Sequence, residues 1–116
     1  MTTFAEIYDY CCNKPGSTEE YPFGEGTLVF KVGGKMFALT SPENIPPRMN
    51  LKCNPERALE LRERYDAVQP GYHMNKKHWN TVQFDGSIPH QEIVDLIDHS
   101  YDLVVASLPK KVRDTL

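Results

Sequence analysis

The run from Ala67 to Phe84 contains no Asp or Glu, in a chain where 16 of 116 residues are acidic. Within it stand Tyr72, His73, Lys76, Lys77, His78 and Trp79, with the amides Asn75 and Asn80. Lysines meet phosphates as point charges, amides and imidazoles bond phosphates or base edges, and an indole can stack on a base. A turn carrying Lys76, Lys77, His78 and Trp79 is therefore a candidate nucleic-acid contact. Two further acid-free basic segments run from Pro46 to Cys53, with Arg48 and Lys52, and from Leu103 to Arg113. They would extend that contact if folding brought them to one face. The same run offers a second chemistry: Tyr72, His73, Asn75 and Asn80 could line a pocket for a small molecule or protein partner, against the last helix near Ser100 and Tyr101.

Other reactive groups lack the company that chemistry needs. No serine or cysteine sits in a strained strand–turn–helix elbow, and no glycine pattern matches a phosphate-binding loop. Gly24-Glu25-Gly26 and Gly33-Gly34 belong to turns. Cys53, just before a helix, could have a lowered pKa or could simply pack inward as a strand-end thiol. His73 or His78 could act as a base at neutral pH, but no nucleophile or orienting carboxylate stands beside either. His90 and His99 are nine residues apart and do not stack on one helical face. The expectation is no catalytic residue, no metal, no cofactor and no enzyme.

Composition narrows the class further. A chain of 116 residues supports one core and one domain, residues 1–116. Apolar residues make up 40% and charged residues 25%, as in ordinary globular proteins. The net charge is −3, so no whole-molecule attraction draws it to nucleic acid or anionic membranes. The apolar runs, such as Leu103-Val104-Val105-Ala106, are far shorter than the about 20 residues a membrane helix needs. Three cysteines, Cys11, Cys12 and Cys53, fit no disulfide framework and suggest a reducing, cytoplasmic setting. A monomer is expected.

The elements that must position these residues are readable from period and punctuation. Thr3-Phe4-Ala5-Glu6 has capping-box spacing, and Phe4, Ile7, Tyr8 and Cys11 make one helical face, ended at Lys14-Pro15-Gly16. Ser17 to Gly26 reads as loop. Strands over Thr27–Val32 and Lys35–Thr40 are joined by Gly33-Gly34, a hairpin signal. Met49–Cys53 is a third strand. Asn54-Pro55-Glu56 opens a second helix whose arginines form a mostly solvated face. A short extended segment follows Pro70-Gly71, then a polar turn and a strand from His78 to Phe84, whose inward face the alternation leaves open. Ser87-Ile88-Pro89 begins the longest helix, with a stripe of Ile93, Val94, Ile97, Tyr101, Val104, Val105 and Leu108. The order α-β-β-β-α-β-β-α predicts an α+β fold, with a mainly antiparallel sheet packed against N- and C-terminal helices.

Several motifs occur together in order: Lys14-Pro15-Gly16, Tyr21-Pro22-Phe23-Gly24, Asn54-Pro55-Glu56-Arg57-Ala58, Pro70-Gly71-Tyr72-His73-Met74-Asn75-Lys76-Lys77-His78-Trp79-Asn80-Thr81-Val82, and His99-Ser100-Tyr101-Asp102-Leu103-Val104 followed by Leu108-Pro109-Lys110-Lys111-Val112-Arg113. In these the chain resembles the MmcQ/YjbR family of small bacterial proteins along nearly its whole length. The resemblance implies a frataxin-like (CyaY-like) fold and DNA binding by a double wing of hairpins. The wings here would be the Gly33-Gly34 hairpin, flanked by Lys31 and Lys35, and the turn at Asn75 to His78. With this charge balance, binding to double-stranded DNA would be weak and steeply salt-dependent. Iron handling, by analogy with frataxin, would need a denser acidic ridge than Glu6 and Asp9 supply.

Overall fold

The computed structural model describes residues 2–24, 26–41, 43–71 and 74–116. Helix α1 (Phe4–Cys12) opens as its capping box dictates: the Thr3 hydroxyl accepts from the Glu6 N–H at 3.2 Å, and the Glu6 carboxylate accepts from the Thr3 N–H at 3.3 Å. Helix α2 (Pro55–Arg64) is capped by Asn54, whose Oδ1 accepts from the N–H groups of Glu56 and Arg57. Helix α3 (His90–Ala106) carries Ile93, Leu96, Ile97, Tyr101 and Val104 inward. A single turn, α4 (Lys110–Arg113), follows Pro109.

Among the described residues six strands make one antiparallel sheet in the order β1-β2-β3-β4-β6-β5. They are β1 (Ser17–Glu20), β2 (Leu28–Val32), β3 (Lys35–Thr40), β4 (Arg48–Lys52), β5 (Val68–Pro70) and β6 (Trp79–Gln83). The β2–β3 turn needs its glycines, because Gly33 and Gly34 have φ of 58° and 82°. The α+β architecture expected from the sequence is therefore present. It differs at three places. Ser17–Glu20 is an edge strand and not loop: it pairs with β2 through backbone bonds, with no apolar alternation to announce it. A short strand lies before Gly71, at Val68–Pro70, and the extended segment expected after it falls on Tyr72 and His73, outside the described residues. The basic tail closes into α4.

Register sorts the sheet into two faces. Leu28, Phe30, Ala38, Met49, Leu51, Asn80 and Val82 share the face that meets the helices, and its apolar members join the core with Phe37, Val68 and Phe84. Lys31, Met36, Leu39, Arg48, Asn50, Lys52, Trp79, Thr81 and Gln83 share the other. A bulge between Phe30 and Lys31 makes Phe37 the extra residue of β3. Phe37 is fully buried, edge-on to Tyr101 at 5.4 Å between ring centroids. The Lys14-Pro15-Gly16 exit is fixed to α3. The Lys14 ammonium donates to Asp98 Oδ1 at 2.8 Å and lies 4.6 Å from the Tyr101 ring centroid, while the Tyr101 hydroxyl donates to the Pro15 carbonyl. Burial works against the charged form of Asp98. Hydrogen bonds from Lys14 and Tyr10 outweigh it and hold the carboxyl below the usual carboxylate range.

No helix among the described residues is long and apolar enough to cross a membrane. All three cysteines are unpaired, Cys11 and Cys53 buried and Cys12 exposed.

Candidate nucleic-acid interface

Antiparallel register brings three basic features to one end of the sheet. The Gly33-Gly34 turn and Lys35 stand at the same end as the C-terminus of β4, because Ala38 pairs with Leu51 and the next residue of β4 is Lys52. Lys52 pairs with Trp79 at the start of β6, and the Cys53 N–H donates to the His78 carbonyl at 2.7 Å. The turn carrying Lys76 and Lys77 thus adjoins the end of β4. The tail joins from the other side. Lys35 Nζ donates to Ser107 Oγ at 3.4 Å, and a Cβ placed on Gly33 would come within 2.6 Å of Leu108 and 3.1 Å of Val112. That contact seats Lys110 and Lys111 beside the hairpin. Among the described residues, none of Lys35, Lys52, Lys76, Lys77, Lys110, Lys111 or Arg113 forms a salt bridge. Glu56 beside Lys77, and Asp102 and Asp114 on neighbouring segments, temper the charge without pairing it.

The turn itself is closed by its own hydrogen bonds. Asn75 Oδ1 accepts from the Lys77 N–H at 3.0 Å, and the Asn75 carbonyl accepts from the N–H groups of His78 and Trp79. At its base Gly71 crosses β6 closely: an added Cβ would lie 2.8 Å from the Trp79 Cβ and 3.0 Å from its carbonyl oxygen. From α2, Arg62 reaches the start of β6 and the turn before it. Its Nε donates to Asn80 Oδ1 at 2.7 Å, and one terminal nitrogen donates to the carbonyls of Lys76 and Trp79. The sequence places Arg62 on a solvated face. It is half-buried and clamps the turn.

The residues singled out in the sequence therefore separate. Lys76 and Lys77 are exposed, with half-buried Lys52, His78 and Trp79 around them. Arg48 lies at the far end of β4, four residues or roughly 13 Å from Lys52. Asn75 uses its side chain to build the turn. Asn80 points to the helix side, only 2% exposed, with its Oδ1 taken by Arg62. Tyr72 and His73 lie outside the described residues. Of the pocket expected from Tyr72, His73, Asn75 and Asn80, the two described members stand apart, Asn75 exposed in the turn and Asn80 buried on the helix side.

The His99-Ser100-Tyr101 run has a different role. Each side chain bonds a backbone group of a separate segment: His99 Nε2 accepts from the Asn54 N–H at 3.1 Å, Ser100 joins β3 to β4, and Tyr101 holds Pro15. Burial first, and Arg57 second, lower the His99 pKa below its ordinary value of 6.5. The unfolded chain then binds the proton more readily than the folded one. Stability from this group is complete above about pH 6.5 and falls as pH drops through 6.5 towards the lower folded value. Urea titrations from neutral to mildly acid pH should show this decline, and His99→Gln should flatten it. An unchanged slope in that variant would remove His99 as the cause.

Among the described residues no group of three or more His, Cys, Asp or Glu side chains could hold a metal ion. Burial pushes the Cys11 thiol up to about 12 and raises that of Cys53 despite Arg57 and Arg62 nearby, so neither is primed as a nucleophile.

This antiparallel sheet with helices against one face and a basic end defines the chain as a small α+β domain of the kind found in several bacterial proteins. A YjbR family model matches residues 12–103, and the chain belongs to the YjbR family. It is 37% identical to uncharacterized protein YjbR of Escherichia coli (strain K12), over 98% of this chain and 97% of that one. It is 44% identical to uncharacterized protein YbdF of Escherichia coli O157:H7, over 78% and 75% respectively. The crystal structure of Deinococcus radiodurans protein DR2400, a DUF419 domain, superposes with a TM-score of 0.93 at 42% identity, covering 98% of this chain and 87% of that one. A Pseudomonas syringae protein superposes at 0.77 with 28% identity, covering 89% and 99%.

Proposed function

We propose that this protein is a monomeric, non-catalytic cytoplasmic accessory protein that binds double-stranded DNA through the basic end of its sheet. The observation that carries the reading is that register, with the packing of the tail on Gly33, gathers Lys35, Lys52, Lys76, Lys77 and Lys110-Lys111 at one end, none of them in a salt bridge among the described residues. The two hairpins resembling wings stand at that same end, separated by the end of β4. Contacts are to phosphates, since lysines dominate and Trp79 is half-buried. The three unpaired cysteines suit a reducing compartment.

A fluorescence-anisotropy titration with a labelled duplex tests the reading. Binding should be measurable at about 50 mM salt and lose affinity steeply towards 200 mM, with a log–log slope of about −3 to −4 for four phosphates. Replacing Lys76 and Lys77 by alanine should weaken binding at least tenfold and make that slope shallower by about 2. Binding that ignores the double replacement, or no binding at low salt, overturns the proposal.

A further inference from the structure

The sheet face turned away from the helices is not flat. Loops at its margins leave an open cavity of about 480 Å³ against it, within the span of about 300–1,000 Å³ usual for small-molecule sites. Met36 and Leu39 of β3 supply its apolar floor, with Phe23 from the loop before β2 and Met74 from the segment after Gly71 among its walls. Asn50 stands in register between Leu39 and Thr81. The Thr81 hydroxyl donates to Asn50 Oδ1, which leaves the Asn50 amide Nδ2 to donate elsewhere. Arg48, two residues along the same face, also lines the cavity and has no acidic partner among the described residues. No other charged side chain lines it among those residues.

An apolar floor selects a ligand with an apolar body, and one unneutralised guanidinium selects one oxyanion, which it can grip with two parallel N–H donors. A neighbouring amide donor sharpens that preference. We infer that this cavity binds a small amphipathic anion, its ring-sized apolar part on Met36 and Leu39 beside Phe23, its oxyanion on Arg48 and Asn50. The site is independent of the DNA-binding reading. Arg48 is roughly 13 Å along β4 from Lys52, and Lys76 and Lys77 do not line the cavity.

Anilinonaphthalene sulfonate, an apolar ring system with one oxyanion, is the probe. Under native conditions its fluorescence should rise saturably with one molecule bound, and the amide signals of Met36, Leu39, Asn50 and Thr81 should shift in a nitrogen-15 spectrum. Arg48→Gln should weaken binding about tenfold, the loss expected when a charge-assisted bond is removed. The uncharged probe N-phenyl-naphthylamine should be indifferent to that change. Lys76→Ala with Lys77→Ala should leave probe binding unaltered, so this site can fail or stand apart from the DNA reading. Near-ultraviolet circular dichroism of each variant guards against a loosened core, which also binds the probe. Two competitors separate the sources of the anion: displacement by naphthoate marks a carboxylate ligand and by naphthyl phosphate a phosphate, and either supports the site. Unsaturable binding, shifts confined to other faces, or an affinity unchanged in Arg48→Gln overturns it.

Discussion

Replacing Ser100 by alanine should remove on the order of 3 kcal/mol of stability, a large part of the about 5–15 kcal/mol available to a domain of this size. The reason is a splice in the sheet. Ala38 pairs with Leu51, and continuing the ladder would bring Phe37 opposite Lys52. The bulge that turns Phe37 inward diverts the strand there. The Ser100 hydroxyl fills the gap, accepting from the Lys52 N–H at 2.9 Å and donating to the Phe37 carbonyl at 2.5 Å. Ser100 is completely buried. Alanine would leave both backbone groups dry and unpaired, and the space vacated by one oxygen is too small to admit water. Each orphaned group costs about 1–3 kcal/mol.

Urea unfolding followed by circular dichroism measures this effect. The midpoint should fall with the m-value unchanged, and the melting temperature should drop by on the order of 10 °C. Ser100→Thr keeps the hydroxyl but forces a methyl group into a full site, and should lose about 1–3 kcal/mol through overpacking. Thr115→Ala, an exposed hydroxyl with one local bond, should stay within about 0.5 kcal/mol of the parent. A loss below about 1 kcal/mol in Ser100→Ala would mean that the strands close on each other without the serine.

This splice also marks the limit of what local sequence encodes. Features written within a few residues are legible in the sequence. The capping box at Thr3, the asparagine cap and proline start of α2, and the Gly33-Gly34 turn each satisfy their own backbone locally. Edge strand β1 is not legible there because Ser17–Glu20 has no apolar alternation; it is held by backbone bonds to β2 and by contacts such as Lys31 with Glu20 at 3.1 Å. The sequence leaves the face of Trp79 open because alternation gives two phases and only the partner strand selects one. Resemblance marked His99-Ser100-Tyr101 as characteristic but said nothing of its task. That task joins Ser100 to groups 48 and 63 residues away, which no local pattern encodes. The basic run is visible in the sequence, but its division is not. Asn75 and Asn80 serve the turn and the core, and Arg48 faces a cavity at the other end of its strand.

Arg62→Ala should have the second large effect, and should couple stability to binding. An arginine on a charged helix usually reads as solvated, and a surface charge is worth little. Arg62 is half-buried, and its guanidinium holds the Asn80 side chain together with the carbonyls of Lys76 and Trp79. The Asn80 Nδ2 is already buried without a partner among the described residues. Removing Arg62 leaves the other end of that amide dry as well and frees the turn. A loss of about 2–3 kcal/mol follows from breaking bonds made by a charged donor. Arg62→Lys should recover only part of this, because an ammonium cannot span three acceptors as a planar fork does. Hydrogen exchange should quicken at the N–H groups of Lys77, His78 and Trp79, which the turn now protects, while those within α3 keep the parent's order of protection. If DNA binds through Lys76 and Lys77, Arg62→Ala should weaken it by ordering cost alone, leaving the salt slope unchanged. In Lys76→Ala with Lys77→Ala the slope should fall. That contrast separates an arginine that positions the turn from lysines that meet the phosphates.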